Sequence, residues 1–300
     1  MEPVERVAEI NGASVHYWVY CPESTDVQEE REAPVAVMVH GLRGTHQGME
    51  LIARYLARER PRGPAVLLDL PGFGDSSPMV GRGNQRRGHD VAGYAGVVTT
   101  LLERLGARGR PVVLLGHSFG SVIAAHVASR APELVWRLVL VNPIATPALR
   151  GPCVITSYLT SPYFALGRVL PERTGRALLS NRWIVLGVSR AMTRTKDRQL
   201  RRFIDDSHLR YFSRFHSPAL LSEAFRASVT RTVADYAGSL VMPTLLIAGE
   251  ADKIAPLAGQ RALAGRLPHS RLAVIPDVGH LVHYETPRAA AAEIQRFLVS

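Results

Sequence analysis

Short apolar runs rich in Val, Ile and Leu recur along the chain at 35–39, 65–70, 112–115, 138–141, 244–248 and 272–275. Unbroken apolarity over a few residues is the mark of a strand buried on both faces, as in a parallel sheet covered by helices. Residues 14–20 alternate instead, which predicts an antiparallel edge strand. Between the runs the period becomes helical: Met49, Ile52, Ala53 and Leu56 share one face, as do Val91, Tyr94, Val98, Leu101, Leu102 and Leu105. Strand and helix alternate, so the fold class is α/β, a mostly parallel, twisted sheet with helices on both faces.

The rhythm stops after Pro143 and resumes near Pro243. The intervening stretch has few strand signals and many aromatic and basic residues. Within it Leu200, Phe203, Ile204, Ser207, Tyr211 and Phe215 follow helical spacing, with Arg198, Arg201, Arg202, Arg210 and Arg214 largely on the other side. The pattern predicts a core made of residues 1–143 and 236–300, interrupted by a mainly helical insertion at 144–235. The Gly/Arg-rich stretch 81–88 reads as an exposed loop.

Composition narrows this only slightly. With 46% hydrophobic and 21% charged residues among 300, the chain is an ordinary globular one rather than disordered or disulfide-stapled. Cys21 and Cys153 are the only cysteines and lack metal or redox spacing, so they read as free thiols in a reducing compartment. The N-terminal residues hold Glu2, Glu5, Arg6 and Glu9 and no apolar signal segment. No apolar run approaches the roughly 18 residues that cross a bilayer. A soluble, cytoplasmic protein is the expectation.

Charge is unevenly placed. The formal net charge is +10, and residues 161–232 carry thirteen Arg and one Lys against five acids. Such a block is first of all a solvated face, and second a surface for an acidic substrate or for weak contact with an anionic membrane. Nothing matches a nucleic-acid-binding signature, and no nucleic-acid partner is expected.

The chemistry concentrates in Val112-Val-Leu-Leu-Gly-His-Ser118-Phe-Gly-Ser, where a buried strand meets G-x-S-x-G and then an apolar helical pattern. That context predicts Ser118 on a strained turn with its hydroxyl presented, and the Phe119 N–H at a helix start where an oxyanion would develop. Side chains at Gly116 and Gly120 would collide with the neighbouring strand and helix. A serine hydroxyl needs a general base and a group to orient it. His280, in Pro276-Asp-Val-Gly-His280, follows the last strand and is the candidate base, with His283 competing. Asp252, after the strand at 244–248 and a Gly turn, is the candidate acid, with Glu250 competing. Both loops leave the carboxyl edge of the sheet, as the serine turn does. His40 and His117 read as buried, hydrogen-bonded side chains. Arg43 and His46 are candidates for a pocket mouth.

These segments resemble the α/β-hydrolase superfamily over roughly 1–143 and 236–300, and the serine-nucleophile, capped esterase type in particular. His40-Gly41-Leu42 is similar to the family's oxyanion loop, which implies that the Leu42 N–H is the second oxyanion donor. Asp69-Leu-Pro-Gly72-Phe-Gly74-Asp-Ser76 is similar to its structural turn. Gly249-Glu-Ala-Asp252 and Gly279-His280 resemble its acid and base loops, and the insertion at 144–235 resembles its helical cap or lid. Relatives that open epoxides or displace halide carry Asp where this chain has Ser118. Asn142 stands where some relatives keep their acid, and an amide cannot serve as a charged orienter. Gly72-Phe-Gly74 lacks the third glycine of a dinucleotide fingerprint, and no residue cluster has metal spacing, so neither cofactor nor metal is expected.

The implied function is hydrolysis of small, apolar carboxylic esters through an acyl-enzyme, with Ser118, His280 and Asp252 as the triad. Serine-dependent C–C hydrolysis, thioester cleavage and cofactor-free perhydrolysis are alternatives, and a non-catalytic binding protein is a third class. Val154, Ile155, Tyr158, Leu159, Tyr163, Phe164, Trp183, Ile184, Val185 and Leu186 either roof a hydrophobic pocket or form the insertion's own core.

Overall fold

A computed structural model describes residues 2–21, 33–59, 63–81, 88–146 and 154–299, except for side chains at 58–59 and 154–160. The chain forms an eight-stranded sheet flanked by helices. β1 (Val4–Ile10) and β2 (Ala13–Tyr20) are an antiparallel hairpin, and β2 lies antiparallel to β4 (Ala65–Leu68). β3 (Val35–Val39), β5 (Val112–His117), β6 (Arg137–Val141), β7 (Thr244–Gly249) and β8 (Ser270–Ile275) continue in parallel, in the order β1-β2-β4-β3-β5-β6-β7-β8. The expected α/β class and its parallel sheet are therefore present.

The apolar runs explain their own position. All six residues of β5 and all six of β7 are buried, since helices cover both faces. Alternate residues serve opposite layers: Val35, Val37 and Val39 pack with α2 (Val91–Arg104) and α3 (Phe119–Arg130), while Met38 packs with α1 (His46–Glu59). The C-terminal helix (Pro287–Val299) joins α1 on that second face through Ala290, Ile294 and Phe297.

Between β6 and β7 the described residues from 154 to 230 form helices and the turns that join them, in α4 (Val154–Val169), α5 (Glu172–Leu179), α6 (Arg182–Met192), α7 (Arg198–Tyr211) and α8 (Pro218–Thr230). Phe164 of α4 stacks on Phe225 of α8 at 4.0 Å, and both join the main core through Leu220, Leu221 and Phe215. Two expectations change here. Trp183 does not roof a pocket, because its side chain is 72% exposed. Helix α7 turns Ile204, Ser207 and His208 inward and leaves Phe203 46% exposed, while Phe215 lies beyond the helix in a bridge to Phe73. Val154, Ile155, Tyr158 and Leu159 fall among the undescribed side chains, and Cys153 and most of the 81–88 loop fall outside the described residues. Among the described residues no helix is long and apolar enough to cross a membrane.

Strand register sets the site. Val39 pairs with Gly116, His117 with Val141, Val141 with Ile247, and Gly249 with Ile275. The loops after β3, β5, β6, β7 and β8 consequently leave one edge of the sheet together, at the carboxyl ends where α/β folds bind ligands.

Candidate active site

Ser118 links β5 to α3 with φ 53° and ψ −120°, a strained conformation for a residue with a side chain. The turn is pinned at both ends. The Ser118 N–H donates to Val141 O at 3.1 Å, and its carbonyl accepts from the Ser121 N–H at 2.9 Å and the Ser121 hydroxyl at 2.5 Å. A Cβ at Gly116 would lie 2.3 Å from Gly120 O, and one at Gly120 would lie 2.3 Å from Val39 O. Both glycines thus let the strand, the turn and the helix approach more closely than any side chain allows.

The Ser118 hydroxyl is 2.8 Å from Nε2 of His280, whose Nδ1 is 2.8 Å from Oδ2 of Asp252. The other carboxylate oxygen, Oδ1, accepts from the N–H groups of Ile254 at 2.8 Å and Ala255 at 3.0 Å. Burial alone would raise the Asp252 carboxyl, but His280 beside it and these two donors outweigh burial and hold it below the usual carboxylate range. A carboxylate fixed in this way accepts the proton of Nδ1 and leaves Nε2 as an acceptor for the serine hydroxyl.

The competing residues lie elsewhere. Glu250 is exposed. His283 is buried, its ring 4.0 Å from that of His117, and burial, together with the neighbouring histidines, pushes its pKa well below the ordinary value. His117 donates from Nε2 to the His280 carbonyl at 3.1 Å, and burial together with His280 lowers its pKa to about 3. His40 accepts the Leu70 N–H on Nε2 at 2.9 Å, so Nδ1 carries the proton and donates to Gly41 O at 2.7 Å. Both are the buried, hydrogen-bonded histidines anticipated from sequence.

The loop after β3 runs against the serine turn. A Cβ at Gly41 would stand 3.1 Å from Ser118 Cβ. Among the described residues, the N–H groups of Leu42 and Phe119 donate to no protein acceptor. That of Phe119 is one of the orphan donors at the start of α3. Asp69 braces the adjacent turn: its Oδ1 accepts from the His46 N–H at 2.7 Å and His46 Nδ1 at 3.0 Å, and its Oδ2 accepts from the Asp75 N–H at 2.9 Å.

Two pocket-mouth expectations need correction. His46 is buried, bonded to Asp69 and stacked on Trp18 with centroids 3.2 Å apart, so it is a packing residue. Arg43 is also buried, and its guanidinium donates to main-chain carbonyls at the ends of α5 and α7 rather than facing a cleft. Two surface clefts, of about 480 and 410 Å³, are lined by other residues and do not include Ser118.

Asn142 has a role that sequence reasoning missed. At the end of β6, with φ 44°, it accepts the Gly249 N–H on Oδ1 at 2.8 Å and donates from Nδ2 to Gly279 O at 2.9 Å. It thus clamps the loop bearing Asp252 to the loop bearing His280, and a Cβ at Gly249, 2.2 Å from Gly279 O, would prevent that approach. Its position after a buried strand was the available signal.

A model of the Alpha/beta hydrolase family matches residues 36–294, and the chain belongs to that family. A pimeloyl-[acyl-carrier protein] methyl ester esterase from Xanthomonas axonopodis pv. citri is 27% identical over 271 residues, covering 89% of this chain and 96% of the relative. The uncharacterized hydrolase YugF of Bacillus subtilis is 26% identical over 308 residues, covering 99% and 98% of the two chains. Among solved structures, a thermophilic esterase from Thermogutta terrifontis superimposes with a TM-score of 0.74 at 20% identity, covering 100% of this chain and 98% of the other. An enol-lactonase from Burkholderia xenovorans gives 0.74 at 18%, covering 98% and 100%. The two solved structures bear on the fold alone.

Proposed function

We propose that this member of the α/β hydrolase family is a serine esterase that cleaves carboxylic esters through an acyl-enzyme. The observation that carries the reading is the relay of two 2.8 Å hydrogen bonds from Ser118 through His280 to Asp252. His280 Nε2 takes the hydroxyl proton as Ser118 Oγ attacks the ester carbonyl carbon. The carbonyl oxygen becomes an oxyanion facing the N–H groups of Leu42 and Phe119, each such donor contributing roughly 3 kcal/mol to the transition state. The imidazolium, held by the Asp252 carboxylate, then protonates the departing alcohol. Water repeats the sequence on the acyl-enzyme, releasing the acid and restoring Ser118.

Residues 144–235 are proposed as the helical cap that bounds the substrate. The relative named as a methyl ester esterase favours a small alcohol group attached to a longer acyl chain. The arginine-rich outer face of the inserted helices suits an anionic substrate or an anionic membrane surface, and either predicts a KM that rises with ionic strength.

The test is a panel of methyl, ethyl and p-nitrophenyl esters of increasing acyl length, with a thioester and a diketone, run on wild type and Ser118→Ala. Ester turnover should fall by several orders of magnitude in the variant. Retention of near-native ester turnover in purified Ser118→Ala overturns the proposal, and preference for the thioester or diketone redirects it.

A further inference from the structure

Gly41, Leu42, Arg43 and Gly44 form a tight turn closed by a hydrogen bond from the Gly44 N–H to Gly41 O at 3.0 Å. Its third residue, Arg43, has φ 61°. That place in a turn with positive φ normally falls to glycine, because a Cβ there is strained. A strained residue persists only where its surroundings over-determine it. The turn also carries Leu42, whose N–H is one of the two proposed oxyanion donors.

The Arg43 side chain supplies the over-determination. Its NH2 group donates to Leu179 O at 2.8 Å, and Nε donates to Phe212 O at 3.1 Å. Leu179 is the last residue of α5, and Phe212 caps the end of α7. Both acceptors therefore belong to the negative ends of helices, where carbonyls lack intrahelical donors. The rings of Phe212 and Phe215 each lie 5.9 Å from the guanidinium carbon. Among the described residues no carboxylate pairs with this buried cation. A buried charge needs compensation, and here two helix termini, two aromatic faces and the Tyr163 hydroxyl provide it.

We infer that Arg43 is a positioning residue: its guanidinium, anchored on the ends of α5 and α7, holds the 41–44 turn in the conformation that aims the Leu42 N–H at the oxyanion. The inference rests on the esterase reading above. It makes the inserted helices part of the catalytic frame, since Arg43 holds the turn from their side while His40, donating from Nδ1 to Gly41 O at 2.7 Å, holds it from the sheet.

The experiment compares wild type, Arg43→Gln, Arg43→Gly and Ser118→Ala in the full chain. The readouts are kcat and KM for a p-nitrophenyl ester, inhibition by a trifluoromethyl ketone and thermal unfolding. The ketone is attacked by the serine oxygen and its carbonyl oxygen becomes an oxyanion, so its affinity reports the donor directly. Arg43→Gln keeps the strain and loses the anchor: kcat should fall about 10- to 100-fold with KM within threefold, and ketone affinity should fall in step. Arg43→Gly loses the anchor but accepts positive φ without strain, and should recover at least fivefold of the lost kcat. Should Arg43→Gln fail to fold, Arg43→Lys keeps the charge but cannot reach both carbonyls, and should lose about tenfold in kcat.

Wild-type kcat and ketone affinity in the folded Gln or Lys variant overturn the inference. So does a Gly variant no better than Gln. An inactive Ser118→Ala beside an unaffected Arg43→Gln rejects the anchor alone, whereas an active Ser118→Ala rejects the esterase reading beneath it.

Discussion

Asp252→Asn probes the relay with almost no change in shape. Oδ1 of Asp252 accepts two backbone N–H groups, from Ile254 at 2.8 Å and Ala255 at 3.0 Å, while Oδ2 faces His280 Nδ1 at 2.8 Å. An asparagine keeps its oxygen on the two N–H groups and so turns its NH2 toward His280. A donor facing Nδ1 forces the imidazole proton onto Nε2, the nitrogen 2.8 Å from the Ser118 hydroxyl, where it can no longer accept the serine proton. Flipping the amide restores the useful tautomer but strips two buried N–H groups of their acceptor, at about 1–3 kcal/mol each. The productive form is thereby disfavoured by about 2–6 kcal/mol, a factor of roughly 30 to 3 × 10⁴ in rate. The assay is kcat for p-nitrophenyl butyrate at neutral pH, with thermal unfolding as the control. A folded variant with kcat within tenfold of wild type refutes the tautomer argument.

Three further outcomes follow from the same geometry. Asn142→Leu should lose about 2–4 kcal/mol of stability, because Gly249 N–H and Gly279 O are left unpaired, and urea unfolding measures it; a loss under 1 kcal/mol contradicts the clamp. Gly120→Ala places a Cβ 2.3 Å from Val39 O and should unfold the protein or lower its melting temperature by well over 5 °C, so a variant melting like wild type counts against the close approach. His117 and His208 are both buried with pKa values lowered to about 3, chiefly by burial. The unfolded chain binds their protons below about pH 6.5 and the folded chain does not. Stability is therefore fully present above that pH and declines toward pH 3, by roughly 2 kcal/mol per histidine at pH 5. Unfolding free energies that stay flat between pH 7 and 5 sink this prediction, and His208→Leu should reduce the slope.

The parts of this arrangement that were legible in sequence are those fixed by local pattern. Five buried strands declare themselves because a strand covered on both faces has few polar positions, as β5 and β7, buried throughout, show, while β8 is partly exposed and is marked by its apolar run at 272–275. Ser118, Asp252 and His280 could be proposed because each follows such a strand within a few residues, and parallel strands deliver their loops to one edge. β1 went unrecognised since most of its residues are exposed, leaving no apolar alternation to read. Phe203 and Trp183 were misplaced because periodicity gives a helix a stripe but does not say which neighbour covers it, and both side chains are exposed. Arg43 and Asn142 depend on partners more than a hundred residues distant, such as Leu179 O and Gly279 O, which no local pattern encodes.

The claim on which the rest depends is that the hydroxyl at 118 is an activated nucleophile, and covalent capture tests it most directly. Wild type treated with a p-nitrophenyl alkylphosphonate should gain one phosphonyl group by intact mass, mapped by peptide fragmentation to Ser118, with stoichiometric release of nitrophenol. His280→Ala should react at least a hundredfold more slowly. Modification at another residue, or equal reaction of wild type and His280→Ala, contradicts the account.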